Sequence, residues 1–204
     1  DDNFTVSKEQ VEKICDEILA RKLDIKWVIQ AKIDTLNRDL ILNMKEAGCF
    51  CIRAGVETGS NNLIKSVKKY NKDWKKLIID ISKTCKEAGV ITDYYIILGL
   101  PHETKEDREE TLKMIKEARP DFVQVHYFKP YPGSKLYDNV DKDDFNEYMY
   151  HYNCNLEEFK EVKNKIYKIV YFNPRAVIKH LTLFTGFYLR NPRIFLKLAN
   201  FLFN

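Results

Sequence analysis

One short signal recurs ahead of three apolar runs in this chain. Lys45-Glu46-Ala47-Gly48 returns 41 residues on as Lys86-Glu87-Ala88-Gly89, and Lys116-Glu117-Ala118-Arg119, followed by Pro120, is an imperfect third copy. Glycine stops a helix in the left-handed conformation, and proline cannot continue one. Behind each stop lies a run long enough only for a strand: Phe50 to Val56, Thr92 to Leu98, and Phe122 to Phe128. The copies read either as an internal repeat or as convergent helix-end chemistry. Both readings give alternating helices and strands, hence an α/β fold with a parallel sheet and right-handed crossovers.

The flanking segments extend the pattern. Ser7 and Gln10 make a capping box, with Val6 and Val11 spaced for a hydrophobic staple, and Val11, Ile14, Cys15, Ile18 and Leu19 keep helical spacing. Ile25 to Ala31 reads as a buried strand ending at Lys32, Ile33 and Asp34. Leu40, Ile41, Met44 and Ala47 mark a helix closed by Gly48. Leu77, Ile78, Ile81 and Cys85 predict another from about Asp73 to Ala88, and Thr104 caps a further one carrying Leu112, Ile115 and Ala118. Four such units, with a fifth implied by the start, fit a closed or partial barrel or an open doubly wound sheet. Either places ligands at the strand C-termini. Gly55, Gly59, Gly99 and Gly133, four of the seven glycines, sit at or beside those ends.

Residues 141–204 depart from this pattern. Tyr148 to Tyr152 is a polar and aromatic run, Leu156 to Phe172 is an amphipathic helix, and Asn173-Pro174 and Asn191-Pro192 each pair an Asn cap with Pro at the first helical position. No acid follows Glu161, so eight Lys and Arg give this tail +8 and leave −4 for residues 1–161 out of the overall +4. A basic aromatic tail on an acidic body points to an anionic surface, a partner, or a docked helical appendage. Peripheral membrane or nucleic-acid contact through 173–204 is one expectation. The five cysteines include no C-x-x-C pair, which fits buried thiols in a reducing, cytoplasmic setting. Opening at Asp1-Asp2-Asn3-Phe4 without Met, the chain reads as part of a longer polypeptide.

Glu57 in Arg53-Ala54-Gly55-Val56-Glu57-Thr58-Gly59-Ser60 is the leading site candidate. A carboxylate there can accept from an amine or from ribose hydroxyls. The alternative is a strand-end acid that caps the next helix or pairs with Lys32 or Arg53. Lys32 ends the neighbouring strand on the same face, and a plain surface lysine is the competing reading. Asp1 and Asp2 either hold an ammonium group or cap the first helix. Gly99-Leu100-Pro101 lets backbone pass close to a flat ligand, or is simply a tight turn. Cys49 and Cys51 point to one side of a strand and read as buried thiols rather than metal ligands.

These motifs in this order resemble the core of the radical S-adenosylmethionine superfamily, in the branch associated with a cobalamin-binding domain. The resemblance runs from Asp1-Asp2-Asn3-Phe4-Thr5 through Gly55-Val56-Glu57-Thr58-Gly59-Ser60 and Lys68-Lys69. It continues through Ile97-Leu98-Gly99-Leu100-Pro101-His102-Glu103-Thr104 to Pro132-Gly133-Ser134. It implies a partial TIM-like (β/α) barrel fragment with parallel strands over residues 1–140, plus a C-terminal α-helical extension over 141–204. It implies S-adenosylmethionine and a 4Fe-4S cluster as cofactors, with cobalamin in a preceding domain as an open alternative. Asp1 and Asp2 fall near the methionine amino group, and Glu57 matches a cofactor-contacting carboxylate. Lys32 stands where relatives often carry Arg. Gly99, Leu100 and Pro101 match the loop near adenine and ribose, and Phe128, with Tyr131, is expected to wall the pocket. His102 replaces the usual Gly of that loop. The family's C-x-x-x-C-x-x-C cluster loop does not occur in the sequence, so this polypeptide alone is expected to be inactive. The full-length enzyme is expected to take electrons from a flavodoxin or ferredoxin. It would cleave S-adenosylmethionine for methylation, C–C bond or rearrangement chemistry on a small-molecule or lipid-like substrate. The competing class is a non-catalytic nucleotide- or partner-binding α/β module.

Overall fold

The computed structural model describes residues 3–68, 70, 72–129, 131, 156–172, 177–178, 181–182 and 185. Its elements run in the order α1 (Lys8–Ala20), β1 (Trp27–Lys32), a 3₁₀ turn (Ile33–Thr35), α2 (Arg38–Glu46), β2 (Cys49–Glu57), α3 (Asn61–Lys68), α4 (Trp74–Ala88), β3 (Ile91–Leu98), α5 (Lys105–Ala118), β4 (Phe122–Tyr127) and α6 (Leu156–Tyr171). The chain divides into two compact units, residues 1–170 and 171–204, and all four strands lie in the first. The expected boundary after residue 140, Asp1 and Asp2, the Asn173-Pro174 start and the whole helix expected from Asn191 fall outside the described residues, whereas 177–178, 181–182 and 185 are helical.

All strand pairs are parallel, and the sheet order is β1-β2-β3-β4. A doubly wound sheet reverses its strand order, and this one does not. Right-handed crossovers in unbroken order put every helix on one face, which is the arc of a (β/α) barrel. On that covered face the register stacks Ile29 beside Ile52, Ala31 beside Ala54, Ala54 beside Tyr94, Tyr94 beside Val123 and Ile96 beside Val125. All are buried. Ile78, Ile81 and Cys85 of α4 and Met114 and Ile115 of α5 are buried with them. A fully buried side chain of isoleucine size is worth about 2 kcal/mol. The buried Tyr94 hydroxyl shares a 2.7 Å hydrogen bond with Ser82 of α4.

Local chemistry sets the element ends. Ser7, Asn37, Asp73 and Thr104 each accept from a first-turn backbone N–H. Thr104 and Asp107 complete a reciprocal capping box. Two expectations fail. Val6 is 72% exposed and makes no staple, because its N–H is turned back onto the Asn3 carbonyl. The first strand begins at Trp27 rather than Ile25, whose N–H closes a tight turn onto the Leu23 carbonyl. The interval between β2 and α4 also holds an additional helix, α3, capped by Ser60.

The opposite face of the sheet has no helix on it among the described residues. Alternation puts Gln30, Lys32, Arg53, Glu57, Asp93, Gln124 and His126 there, on strands whose other face is apolar.

Candidate functional site at the strand C-termini

Glu57 ends β2 with φ +66°. The Thr58 N–H donates to the Val56 carbonyl at 2.8 Å, which makes Glu57 the apex of a γ-turn. The strand register also breaks between Gly55 and Glu57. Such a backbone costs about 1–3 kcal/mol and persists only where its surroundings hold it. Those surroundings come from distant helices. The Trp74 indole N–H on α4 reaches the Thr58 carbonyl at 2.9 Å and the Val56 carbonyl at 3.2 Å, one on each side of Glu57. Thr111 of α5 accepts from the Gly59 N–H at 2.9 Å and shares a hydrogen bond with the Thr58 hydroxyl at 3.1 Å. Ser60 donates to Asp107 and accepts from the Leu63 N–H. Burial works against ionisation of Asp107, but hydrogen bonds from Ser60 and Thr104 outweigh it and hold the carboxyl below its ordinary range.

Both glycines of the motif acquire a reason. A Cβ on Gly59 would lie 2.7 Å from the Thr111 Cα, so only glycine lets this turn meet α5. A Cβ on Gly55 would lie 2.7 Å from the Glu57 Oε1, so its absence leaves room for the carboxylate beside the strand.

Parallel register brings the other strand ends to the same rim. Lys32 lies opposite Gly55 and is exposed. The Phe128 N–H donates to the Leu98 carbonyl at 2.8 Å, which places the half-buried Phe128 beside the Gly99 loop. Pro101 is half-buried, whereas the Leu100 side chain is only 5% exposed, so this loop has mainly backbone and Pro101 to offer a ligand. His102 has φ +65°, and a side chain in that region costs about 1–2 kcal/mol that a glycine would avoid.

Glu103 supports the loop from beneath. Its Oε2 accepts from the Gly99 N–H at 2.7 Å, and its side chain is 2% exposed. Arg108 approaches the same oxygen at 3.6 Å. The guanidinium then bonds Glu158 of α6 at 2.6 Å and lies 5.2 Å above the Phe159 ring. Burial pushes the Glu103 carboxyl up to about 7, against the opposing pull of the Gly99 N–H and Arg108. Helix α6 buries Phe159, Val162, Ile166 and Val170 along one stripe.

The structure therefore brings Lys32, Glu57, Gly99, Pro101 and Phe128 to one rim. Sequence pattern held no sign of the residues that hold the rim, Trp74, Thr111, Asp107 and Arg108. It also concealed Asp93 and Gln124 on the open face below and offered Arg53 only as a partner for Glu57. Two-residue spacing back from Glu57 was the only signal for Arg53. Arg53 pairs with Asp93 at 3.5 Å, not with Glu57.

The residues at the rim fit part of the expected cofactor set. An acidic side chain held in a strained turn beside a glycine-made gap suits an ammonium or hydroxyl ligand. The described residues do not fit an iron–sulfur cluster. Among the described residues no three of His, Cys, Asp or Glu are grouped to hold a metal ion. Burial pushes the thiols of Cys15 and Cys51 up to about 11 and those of Cys49 and Cys85 up to about 12, far from ligating thiolates. No described helix is long and apolar enough to cross a membrane.

Known proteins resemble this chain in sequence and in fold. The chain is 29% identical over 198 residues to an uncharacterised methyltransferase of Pyrococcus horikoshii, covering 97% of this chain and 41% of that protein. It is 28% identical over 157 residues to the anaerobic magnesium-protoporphyrin IX monomethyl ester cyclase of Rubrivivax gelatinosus, covering 74% of this chain and 28% of the cyclase. The chain thus spans less than half the length of these relatives. The radical S-adenosylmethionine methyltransferase TsrM of Kitasatospora setae, solved with cobalamin and a [4Fe-4S] cluster, superposes with a TM-score of 0.62 at 14% identity over 69% of this chain and 29% of TsrM. The Radical SAM superfamily model matches residues 4–115, which include the γ-turn acid, its glycines, the Gly99 loop and most of α5. On that match, and on a singly wound parallel arc with its strained acid at the strand ends, the chain belongs to the radical SAM superfamily.

Proposed function

We propose that this chain forms the S-adenosylmethionine-holding wall of a radical SAM enzyme with methyltransferase- or cyclase-type chemistry. The observation that carries the reading is Glu57, fixed at the rim by two helices and flanked by Gly55 and the Gly99 loop. In this reading Glu57 accepts from the methionine ammonium, the Gly99–Pro101 backbone and Pro101 flank the adenine, and Phe128 walls the pocket. Lys32 offers a cation at the rim, and Asp1 and Asp2 complete the ammonium site. In the whole enzyme a reduced 4Fe-4S cluster, for which the described residues supply no ligands, would deliver the electron that makes S-adenosylmethionine a radical source. This chain's residues orient the sulfonium compound and exclude water from it. Cobalamin, a flavodoxin or ferredoxin donor, a cytoplasmic location and a membrane-facing role for 173–204 belong to the proposal for the whole protein.

Calorimetric titration of the 204-residue chain with S-adenosylmethionine tests the wall. Binding is expected, and Glu57→Gln is expected to weaken it about ten- to a hundredfold, the worth of one charge-assisted hydrogen bond. No binding to the wild type, or equal binding to the variant, refutes the assignment. A separate expectation concerns the cluster. Anaerobic incubation with iron and sulfide should leave the chain without the brown absorbance of a 4Fe-4S cluster, and its appearance would overturn the claim that this chain alone is inactive.

A further inference from the structure

We infer that Arg53 is the anchor of a substrate subsite on the open face of the sheet, and that it takes the carboxylate of a monocarboxylic acid. The inference rests on the barrel-wall reading and goes below the rim to a residue that reading does not use.

Arg53 lies mid-strand, with Gln30 opposite on β1 and Asp93 opposite on β3. Its Nε is 3.5 Å from the Asp93 Oδ2, and the Gln124 amide donates to that same oxygen at 2.9 Å. The two partners are unequally covered. The Asp93 side chain is 9% exposed, and that of Arg53 is 46% exposed. The guanidinium is therefore tethered by its Nε edge. Its two terminal nitrogens carry no hydrogen bond among the described residues. A purely structural pair would use the fork and bury both members. Here Gln124 orients Asp93, Asp93 orients Arg53, and the fork is left over.

Charge decides the class of anion. Asp93 already offsets the single positive charge of Arg53, so a dianion such as phosphate is disfavoured. A planar monoanion matches the two parallel N–H vectors of the fork. Tyr95 stands one layer nearer the rim and His126 two, edge to face with ring centroids 6.2 Å apart, and they offer a wall for a planar body. Glu57 is four residues further along β2, about 13 Å at 3.3 Å per residue. A ligand spanning that interval carries its reacting carbon well away from its carboxylate.

NMR of the isotopically labelled 204-residue chain provides the test, with benzoate, its neutral isostere benzamide and inorganic phosphate as probes. Benzoate is expected to shift the Arg53 Nε–Hε resonance and the amide signals of Asp93, Tyr95 and Gln124 saturably. Benzamide should leave them in place, and phosphate should bind at least about fivefold more weakly. Arg53→Gln should lower benzoate affinity at least about tenfold. Arg53→Lys keeps the charge that Asp93 faces but loses the fork, so it should fold and still lose most of the affinity. Equal shifts with benzamide, stronger binding of phosphate, or undiminished benzoate binding to Arg53→Lys would each overturn the inference. Glu57→Gln separates the two proposals, because it should impair S-adenosylmethionine binding and leave the benzoate response intact.

Discussion

Trp74→Ala is expected to cost about 3–5 kcal/mol of folding stability, the range for removing a large buried aromatic side chain. Trp74 is fully buried at the start of α4 and packs edge-on against Tyr70 with ring centroids 4.9 Å apart. Its indole N–H also serves the carbonyls of Val56 and Thr58. Alanine creates a cavity and leaves both carbonyls without this donor. Trp74→Phe separates the two effects, since it keeps most of the volume and loses only the N–H. That change should cost about 1–3 kcal/mol, the penalty for buried acceptors left unmade. Urea denaturation of the three proteins measures both. If Trp74→Phe is as stable as the wild type, the indole does not hold the γ-turn.

Stability should fall as pH rises through the acid side of neutrality, and Glu103 should be a main cause. Its carboxyl titrates at about 7 in the folded protein against 4.5 ordinarily. The native state therefore binds this proton more tightly than the unfolded chain. Between pH 4.5 and about 7 the folded protein holds more protons, and ∂ΔG_unfold/∂pH is negative. Below pH 4.5 the group contributes no penalty, and above about 7 the penalty is complete. At about 1.4 kcal/mol per pH unit, the interval amounts to about 3 kcal/mol. Glu103→Gln keeps an acceptor for the Gly99 N–H and removes the titration. The stability of the variant relative to the wild type should therefore improve by about 2–3 kcal/mol between pH 5 and pH 8, as read from urea midpoints at each pH. Parallel profiles for the two proteins would sink this assignment.

Much of this architecture can be read without coordinates. Helix ends at Gly48, Gly89 and Pro120, caps at Ser7 and Thr104, and short apolar runs between them are local chemistry, and local chemistry is written in adjacent residues. So is the rim: parallel strands with helices between them must bring Lys32, Glu57 and Gly99 to one edge. The two expectations that fail are also local. Val6 and Ile25 are drawn away by backbone turns that side-chain pattern does not encode.

What the chain could not disclose is who touches whom across long separations. Nothing in Gly55-Val56-Glu57-Thr58-Gly59-Ser60 says that Glu57 sits at positive φ, because that conformation is imposed by Trp74, 17 positions on, and by Thr111, 54 positions on. Nothing in a β-rich run says that Asp93 is buried, or that it meets Arg53 from one strand and Gln124 from another. Propensity, capping and period are properties of neighbours, and they suffice for the units, their order and the rim. Which face stays open, what strains the acid at its edge and which arginine is left with an unused fork are settled otherwise. Those outcomes depend on register and packing between segments that only folding brings together.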